Sequence, residues 1–127
     1  MNYFYRGSNR RGNGNKYHNK KVIVDGIEFD SKKEAERWTE LTLLQRAGEI
    51  RDLCRQVRYQ LVPPQKDEHG KLIEQAVDYI ADFQYRNKNG KIVVEDVKGS
   101  KQGSAYAIFV IKRKLMLKEY GIRIREV

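Results

Sequence analysis

Two acidic residues and a lysine lie in neighbouring β-type segments of the chain. Asp96 and Lys98 are separated by one residue in VVEDVKG, and Asp82 lies within the preceding segment DYIADFQYR. Alternation along a strand puts Asp96 and Lys98 on one face. If the segments pair as a hairpin across the turn NKNG, Asp82 and Asp96 lie near one another. Close carboxylates repel each other, and a divalent cation relieves that repulsion.

Regular alternation also predicts the neighbours of Asp82. Ala81 and Phe83 should share the face opposite Asp82. Lys98 adds an ammonium group beside the predicted cation, where it could position an attacking water or stabilise charge on a phosphate. Glu95 points away from Asp96, and we interpret it as a solvated residue or, at most, a supporting one.

A third carboxylate comes from a predicted helix. Ser31 precedes Glu34 by three residues, which has the form of a capping box, and the helix should run to about Ala47 and stop at Gly48. The apolar residues that recur at helical spacing predict its core-facing stripe: Trp38, Leu41 and Leu44. Glu34 falls on the same side, where an unpaired carboxylate would be costly. Taken singly, these residues have ordinary explanations, because a D-x-K triplet is common, Asp82 could end a strand and Glu34 could only cap its helix.

The other segments predict the elements that position these residues. KVIVDGIEFDS, with Asp25-Gly26 at its centre, is typical of a β-hairpin. VRYQLV, DYIADFQYR and KIVVEDVKG predict three antiparallel strands, with the turn-rich PPQKDEHGK after the first. A second helix is expected from Ser104 to about Tyr120, ending at Gly121, and IRIREV predicts a last strand. The stripe expected to face the core on this helix consists of Ile108, Ile111 and Leu115. The predicted order is α-β-β-β-α-β after a hairpin.

Charge is unevenly distributed along the 127 residues, a length that allows one ordinary domain. Lysine and arginine total 26 against 17 acidic residues, a formal charge of +9. Residues 1–21 carry six basic residues and no acid, 98–127 carry eight basic and two acidic, and 22–97 carry 12 basic and 15 acidic. Carboxylates inside a basic protein suggest cations at a phosphate, although a scatter of solvated charges would give the same count.

Two basic segments are candidates for contact with a nucleic-acid backbone. Residues 1–21 combine Gly, Asn, Arg and aromatic residues without apolar periodicity, which favours a flexible basic arm. Its candidate contacts are Arg6, Arg10, Arg11, Lys16, Lys20 and Lys21. The second helix offers Lys112, Arg113, Lys114 and Lys118. A solubilising tail and a solvated helix face are the alternatives.

Several classes of protein are excluded or disfavoured by missing features. Cys54 is the single cysteine, and His18 and His69 are far apart, so neither a disulfide nor a zinc cluster is expected. The chain lacks a membrane-length apolar stretch and a signal-peptide core, which predicts an intracellular protein without membrane contact. It also lacks the GxxxxGK[ST], HExxH and G-x-S-x-G motifs, which argues against NTP hydrolysis and zinc proteolysis. No small-molecule cofactor is expected.

FDSKKEAER, YIADFQY and VEDVKG resemble the motifs of the PD-(D/E)xK nuclease superfamily, especially its small phage-type members related to Holliday junction resolvases. The resemblance covers roughly residues 20–127. It implies that Asp82 is the first motif aspartate, Asp96 the second acid and Lys98 the motif lysine, and that Glu34 completes metal binding. Gln56 could assist. The chain departs from the pattern in having Ala81 before Asp82 where proline is usual, and in having aspartate rather than the commoner glutamate at position 96.

The resemblance implies an α/β (α+β) restriction-endonuclease-like core with a mixed central sheet over 22–127, preceded by the arm 1–21. It implies an Mg²⁺- or Mn²⁺-dependent DNA endonuclease, phage-encoded, that cleaves branched or structured DNA during recombination or replication. A homodimer in the host cytoplasm is expected. Two alternatives stay open: a non-catalytic double-stranded-RNA-binding module with a similar α-β-β-β-α order, and a nicking or restriction-type nuclease on the same fold.

Overall fold

The computed structural model describes the backbone of residues 4–6 and the whole of residues 20–127. The elements in chain order are β1 (Phe4–Arg6), β2 (Lys21–Val24), β3 (Ile27–Phe29), α1 (Lys32–Arg46), β4 (Arg51–Val62), β5 (Gln65–Lys66), β6 (Leu72–Glu74), β7 (Val77–Arg86), β8 (Ile92–Asp96), α2 (Gly103–Tyr120) and β9 (Arg125–Glu126). The predicted order α-β-β-β-α-β, preceded by a hairpin, is confirmed. No helix in the described part of the chain is long and apolar enough to cross a membrane.

The hairpin forms because its two turn residues accept left-handed backbone conformations. Asp25 has φ 51° and Gly26 has φ 77°, as a two-residue turn of type I′ requires. β2 pairs antiparallel with β3 on one side and with β1 on the other. Part of the expected arm therefore has a defined backbone, and Lys21 belongs to β2. The other residues of the expected arm before Lys20 lie outside the described residues.

Helix α1 begins and ends where its caps predict. The Ser31 side chain accepts a hydrogen bond from the Glu34 backbone N–H at 3.1 Å, and Ala47 is the C-cap. Leu41 is fully buried and Trp38 packs against the same core. Leu44 is 37% exposed, so its place in the predicted stripe is wrong. The buried side of the helix lies toward its N-terminus, and the last turn is at the surface.

A mixed four-stranded sheet in the order β4-β7-β8-β9 forms the centre of the fold. β4, β7 and β8 are antiparallel, and β9 is parallel to β8 after the crossover through α2. Val93 packs against the apolar core beneath α1, whereas Val94 is buried in the core beneath α2. Since adjacent strand residues face opposite ways, the two helices cover opposite faces of the sheet.

Strand β7 changes its packing partner at Asp82. Ala81 is buried in the core beneath α2, whereas Phe83 is buried in the core beneath α1. The prediction that both share one face is therefore wrong. The pairing with β4 passes from Arg55–Phe83 to Val57–Ala81, and Gln56 between them has φ 53°. The register of β4 and β7 is unbroken at this point, so Gln56, with its left-handed backbone, lies opposite Asp82.

Helix α2 has the predicted end but a different buried side. It ends at Gly121, which has φ 66°. Ile108 and Ile111 are 56% and 60% exposed, whereas Phe109 and Met116 are buried, so the predicted stripe is wrong for both isoleucines. The helix is apolar on more than one side, and periodicity alone could not decide which side meets the sheet.

The turn-rich segment after β4 contains a small hairpin of its own. β5 and β6 form a two-stranded antiparallel sheet. The Asp67 side chain accepts hydrogen bonds from the backbone N–H groups of His69 and Lys71 at 2.8 and 2.9 Å. This side chain organises the turn in the manner typical of aspartate.

Candidate active site

Asp82 and Asp96 meet where β7 and β8 stop pairing. The register pairs Phe83 with Glu95, which places Asp82 opposite Asp96 one position further on. The Asp82 carboxylate accepts a hydrogen bond from the Val97 backbone N–H at 2.8 Å. Asp96 is 7% exposed. The expected proximity of the two aspartates is present.

Helix α1 adds Glu34 to this pair. Glu34 is 8% exposed, and its carboxylate accepts a long hydrogen bond of 3.3 Å from the Asp30 backbone N–H. Burial, together with hydrogen bonding and charge repulsion from Glu34, raises the pKa of Asp82 to about 7. Burial and the charge of Asp82 raise the pKa of Asp96 to about 6, although Lys98 opposes the shift. The three carboxylates thus form a chain of contacts from Glu34 through Asp82 to Asp96.

Lys98 completes the group. Its ammonium nitrogen pairs with the Asp96 carboxylate and lies 3.3 Å from the centre of the Phe109 ring, a cation–π contact. The backbone at Lys98 is held by Val127, whose carbonyl accepts its N–H at 2.9 Å. Lys33 donates to the Lys98 carbonyl at 2.6 Å. These contacts fix the end of β8 against α1 and the C-terminal segment.

The sequence-predicted catalytic residues are therefore neighbours, supplied by α1, β7 and the end of β8. In the described part of the chain, no three His, Cys, Asp or Glu side chains are already arranged as a metal-ion site. The Mg²⁺ or Mn²⁺ site stays a prediction. Gln56 lies opposite Asp82 in the register of β4 and β7, and its role also stays a prediction.

Tyr79 is a residue of this site that the sequence argument missed. It is 4% exposed, and its hydroxyl makes no hydrogen bond with the described residues. Burial, followed by the negative charges of Asp96 and Asp82, raises the pKa of Tyr79. In the sequence Tyr79 is indistinguishable from a core aromatic residue of a strand. Its odd spacing from Asp82 predicts the opposite face of the strand, so alternation gave no signal for it.

Glu95 has a structural position that differs from the solvated one considered above. It is fully buried and accepts two hydrogen bonds of 2.7 Å from the Arg37 guanidinium and one from the Tyr85 hydroxyl. Burial by itself would raise the pKa of Glu95, but the bonds from Arg37 and Tyr85 outweigh it and lower the pKa. Glu95 thus ties β8 to α1 on the face opposite Asp96.

The candidate DNA-binding residues are dispersed. The Arg6 side chain and residues Arg10, Arg11 and Lys16 lie outside the described residues. Lys20 is exposed, and Lys21 lies 3.5 Å from Glu28.

The four candidates on α2 have different surroundings. Lys112 lines a cleft beside Asp96 and Lys98, while Arg113 donates to Glu126 at 3.2 Å. Lys114 lines a separate groove with Arg113, and Lys118 lies 3.6 Å from Glu119. Lys112 is therefore the one of these four candidates that shares a cleft with the proposed catalytic residues.

Comparison with protein families matches residues 14–125 to the family described as Protein of unknown function (DUF1064). The match covers most of the chain, so the protein belongs to this family. The curated proteins and the solved structures give no match.

Proposed function

We propose that the protein is a divalent-metal-dependent DNA endonuclease of the PD-(D/E)xK type. The observation that carries the proposal is the meeting of Asp82 and Asp96 at the end of two paired strands, with Glu34 beside one and Lys98 beside the other. Buried carboxylates with raised pKa values are uncommon away from functional sites. A module that only binds double-stranded RNA has no use for them.

The chemistry of the donors fits Mg²⁺ or Mn²⁺. Glu34, Asp82 and Asp96 offer carboxylate oxygens, the ligands that these cations prefer. Burial raises the pKa values of both aspartates when no metal is bound, with Glu34 adding to the shift of Asp82 and Asp82 adding to the shift of Asp96, and a bound cation would favour their charged forms. When bound, the ion supplies Lewis acidity at a scissile phosphate and lowers the pKa of a water molecule.

Lys98 has a separate part in the proposed reaction. Its side chain is 16% exposed and contacts Asp96, so its charge lies in a site with little water. There it stabilises negative charge that develops on the phosphate oxygens. Lys112, on the wall of the adjoining cleft, neutralises a neighbouring phosphate. We further propose branched or structured DNA as the substrate, a homodimer as the working form, and the cytoplasm of a phage-infected cell as its location.

The test is cleavage of linear, nicked, flapped and four-way DNA with Mg²⁺, with Mn²⁺ and with EDTA. Asp96→Asn should reduce cleavage by at least about a hundredfold. DNA binding in EDTA should be retained or become tighter, because a negative charge next to the phosphate is removed. Lys98→Ala should also inactivate the enzyme, while Mg²⁺ should still raise its thermal midpoint.

Asp52→Asn is the matched control for Asp96→Asn. The Asp52 side chain is 68% exposed, and its positive φ of 57° suits asparagine. This variant should cleave like the wild type. Cleavage that persists in EDTA, or full activity of Asp96→Asn, would refute the proposal. A nicking or restriction-type enzyme would instead prefer linear over branched DNA.

A further inference from the structure

The cleft beside Asp96 and Lys98 lies at an open edge of strand β7. Residues Val77–Ala81 pair with β4 on one side, whereas β8 pairs with β7 from Phe83 onward. The first half of β7 therefore projects past the end of β8. The space beside it has a volume of about 320 Å³ and is closed by residues of α2, among them Ile108 and Lys112. This volume suits one small-molecule-sized group.

The wall of this cleft has both apolar and charged side chains. Ile80 and Ile108 line it and are 45% and 56% exposed. Both are bulky apolar side chains, so exposed hydrocarbon borders the charged residues of the site. Lys98 and Lys112 line the same cleft together with Asp78 and Asp96. Asp96 pairs with Lys98 and Asp78 with Arg58, so the charge of Lys112, which makes no ion pair with the described residues, is available for a phosphate. The combination suits a ligand with an apolar surface and a negative charge.

In the described part of the chain, two polar atoms of the cleft are buried without a hydrogen-bond partner, although the Tyr79 hydroxyl lies close enough to Asp96 for that carboxylate to raise the pKa of Tyr79. Asp78 Oδ1 and Tyr79 Oη make no hydrogen bond with the described residues, although the other Asp78 oxygen accepts from Arg58 at 2.9 Å. Both residues line the cleft. An unsatisfied buried polar atom costs stability, and such atoms are few in native proteins. A ligand that offers one donor and one acceptor would satisfy both.

We propose that this cleft binds one unstacked nucleotide of DNA next to the scissile phosphate. The base lies against Ile80 and Ile108, its polar edge meets Asp78 Oδ1 and Tyr79 Oη, and its phosphate meets the lysines. A base inside an intact duplex cannot enter such a cleft. The inference rests on the proposed nuclease function and specifies its substrate class: DNA with an unpaired nucleotide at a flap, gap or branch.

The test uses the full chain in EDTA, so that binding is measured without cleavage. The probe is 2-aminopurine, unpaired at the junction of a flapped DNA or paired within a linear duplex of the same sequence. Ile108→Ala should weaken binding of the flapped DNA about fivefold, reduce the fluorescence change of the probe and leave duplex binding unchanged. Ile111→Ala, on the same helix and 60% exposed, is the matched control and should alter neither. Equal effects of Ile108→Ala on both DNAs, or no effect, would overturn the inference.

Tyr79→Phe provides an independent variant. It removes a hydroxyl that makes no hydrogen bond with the described residues, so the thermal midpoint should stay the same or rise, while affinity for the flapped DNA falls about threefold. A lower midpoint with unchanged flap affinity would assign Tyr79 a structural role only and contradict the inference. Cleavage without any flap-specific effect in the two variants would overturn the nucleotide site alone. Flap-selective binding without cleavage under any metal condition would overturn the nuclease function alone.

Discussion

Backbone geometry holds Asp82 and Asp96 close together, which disfavours their charged forms when no metal is bound. The Val97 N–H fixes Asp82 and Lys98 pairs with Asp96, yet burial still raises both pKa values, together with Glu34 at Asp82 and with Asp82 at Asp96. Ordinary surface aspartates titrate near pH 4. The folded protein therefore binds protons at these sites that the unfolded chain has already lost.

This difference predicts how stability depends on pH. In the folded protein the pKa is about 7 for Asp82 and about 6 for Asp96. The stability that protonation of these two side chains contributes is therefore fully present below pH 4 and is lost as pH rises through 6 and 7. In EDTA, the thermal midpoint should fall between pH 5 and pH 8 by about 5 °C more in the wild type than in Asp82→Asn. Mg²⁺ should raise the midpoint more at pH 8 than at pH 5. Parallel curves for the two proteins in differential scanning calorimetry would contradict the pKa assignments.

At the residue level, the sequence predicted those parts of the candidate site whose geometry depends on local rules. A short turn and strand alternation bring Asp82 beside Asp96, and the capping pattern fixes Glu34. Asp78 and Tyr79 could not be found in this way. Their surroundings depend on how far β7 projects past β8 and on where α2 crosses, which are features of the folded molecule.

The two helices show what the apolar pattern can and cannot determine. Caps and stop residues are local, and the bounds of α1 and α2 followed from them. Local sequence does not determine which side of a helix packs against the sheet, because α2 is apolar on several sides and only one of them meets the sheet. Phe109 and Met116 lie on that side and are buried, whereas Ile111 is exposed at the surface.

This difference in burial predicts how substitutions in α2 change the free energy of unfolding. Met116→Ala removes a fully buried side chain and should cost about 3 kcal/mol. Ile111→Lys replaces an exposed side chain and should change stability by less than about 0.5 kcal/mol. Urea unfolding followed by circular dichroism measures both. Similar losses in the two variants would mean that Ile111 is covered in solution, as an interface between two copies would require.

At the scale of the whole molecule, the basic ends flank an acidic centre in sequence and the fold brings part of this centre to one site. The order of the elements along the chain was predictable, because each strand and turn carries its own pattern. The pairing of β1 with β2 and the small β5–β6 hairpin were not, since strands of two or three residues have no periodicity to detect.

The N-terminal basic residues give a prediction about affinity for DNA. Changing Arg10, Arg11 and Lys16 to Gln leaves the β1 segment intact. If all three contact phosphates, the slope of log affinity against log salt should fall by about 2–3, since each contact contributes about 0.9. Cleavage at saturating enzyme in low salt should persist. The control removes the same charge from the β5–β6 region and from the residue before β8: Lys66, Lys71 and Lys91 to Gln. An equal fall in slope for the control would show that the effect reflects net charge alone.

The buried pair between Arg37 and Glu95 has a consequence for the alignment of β8 itself. Glu95 and Asp96 are adjacent, and the first faces α1 while the second faces the candidate site. Slippage of β8 by one residue would move both side chains to the opposite face. A slip in one direction would put Val94 opposite Arg37 and Glu95 beside Asp82, and a slip in the other direction would put Asp96 opposite Arg37 and Val97 beside Asp82. The ion pair between Arg37 and Glu95 therefore favours the one alignment of β8 in which Asp96 faces the candidate site.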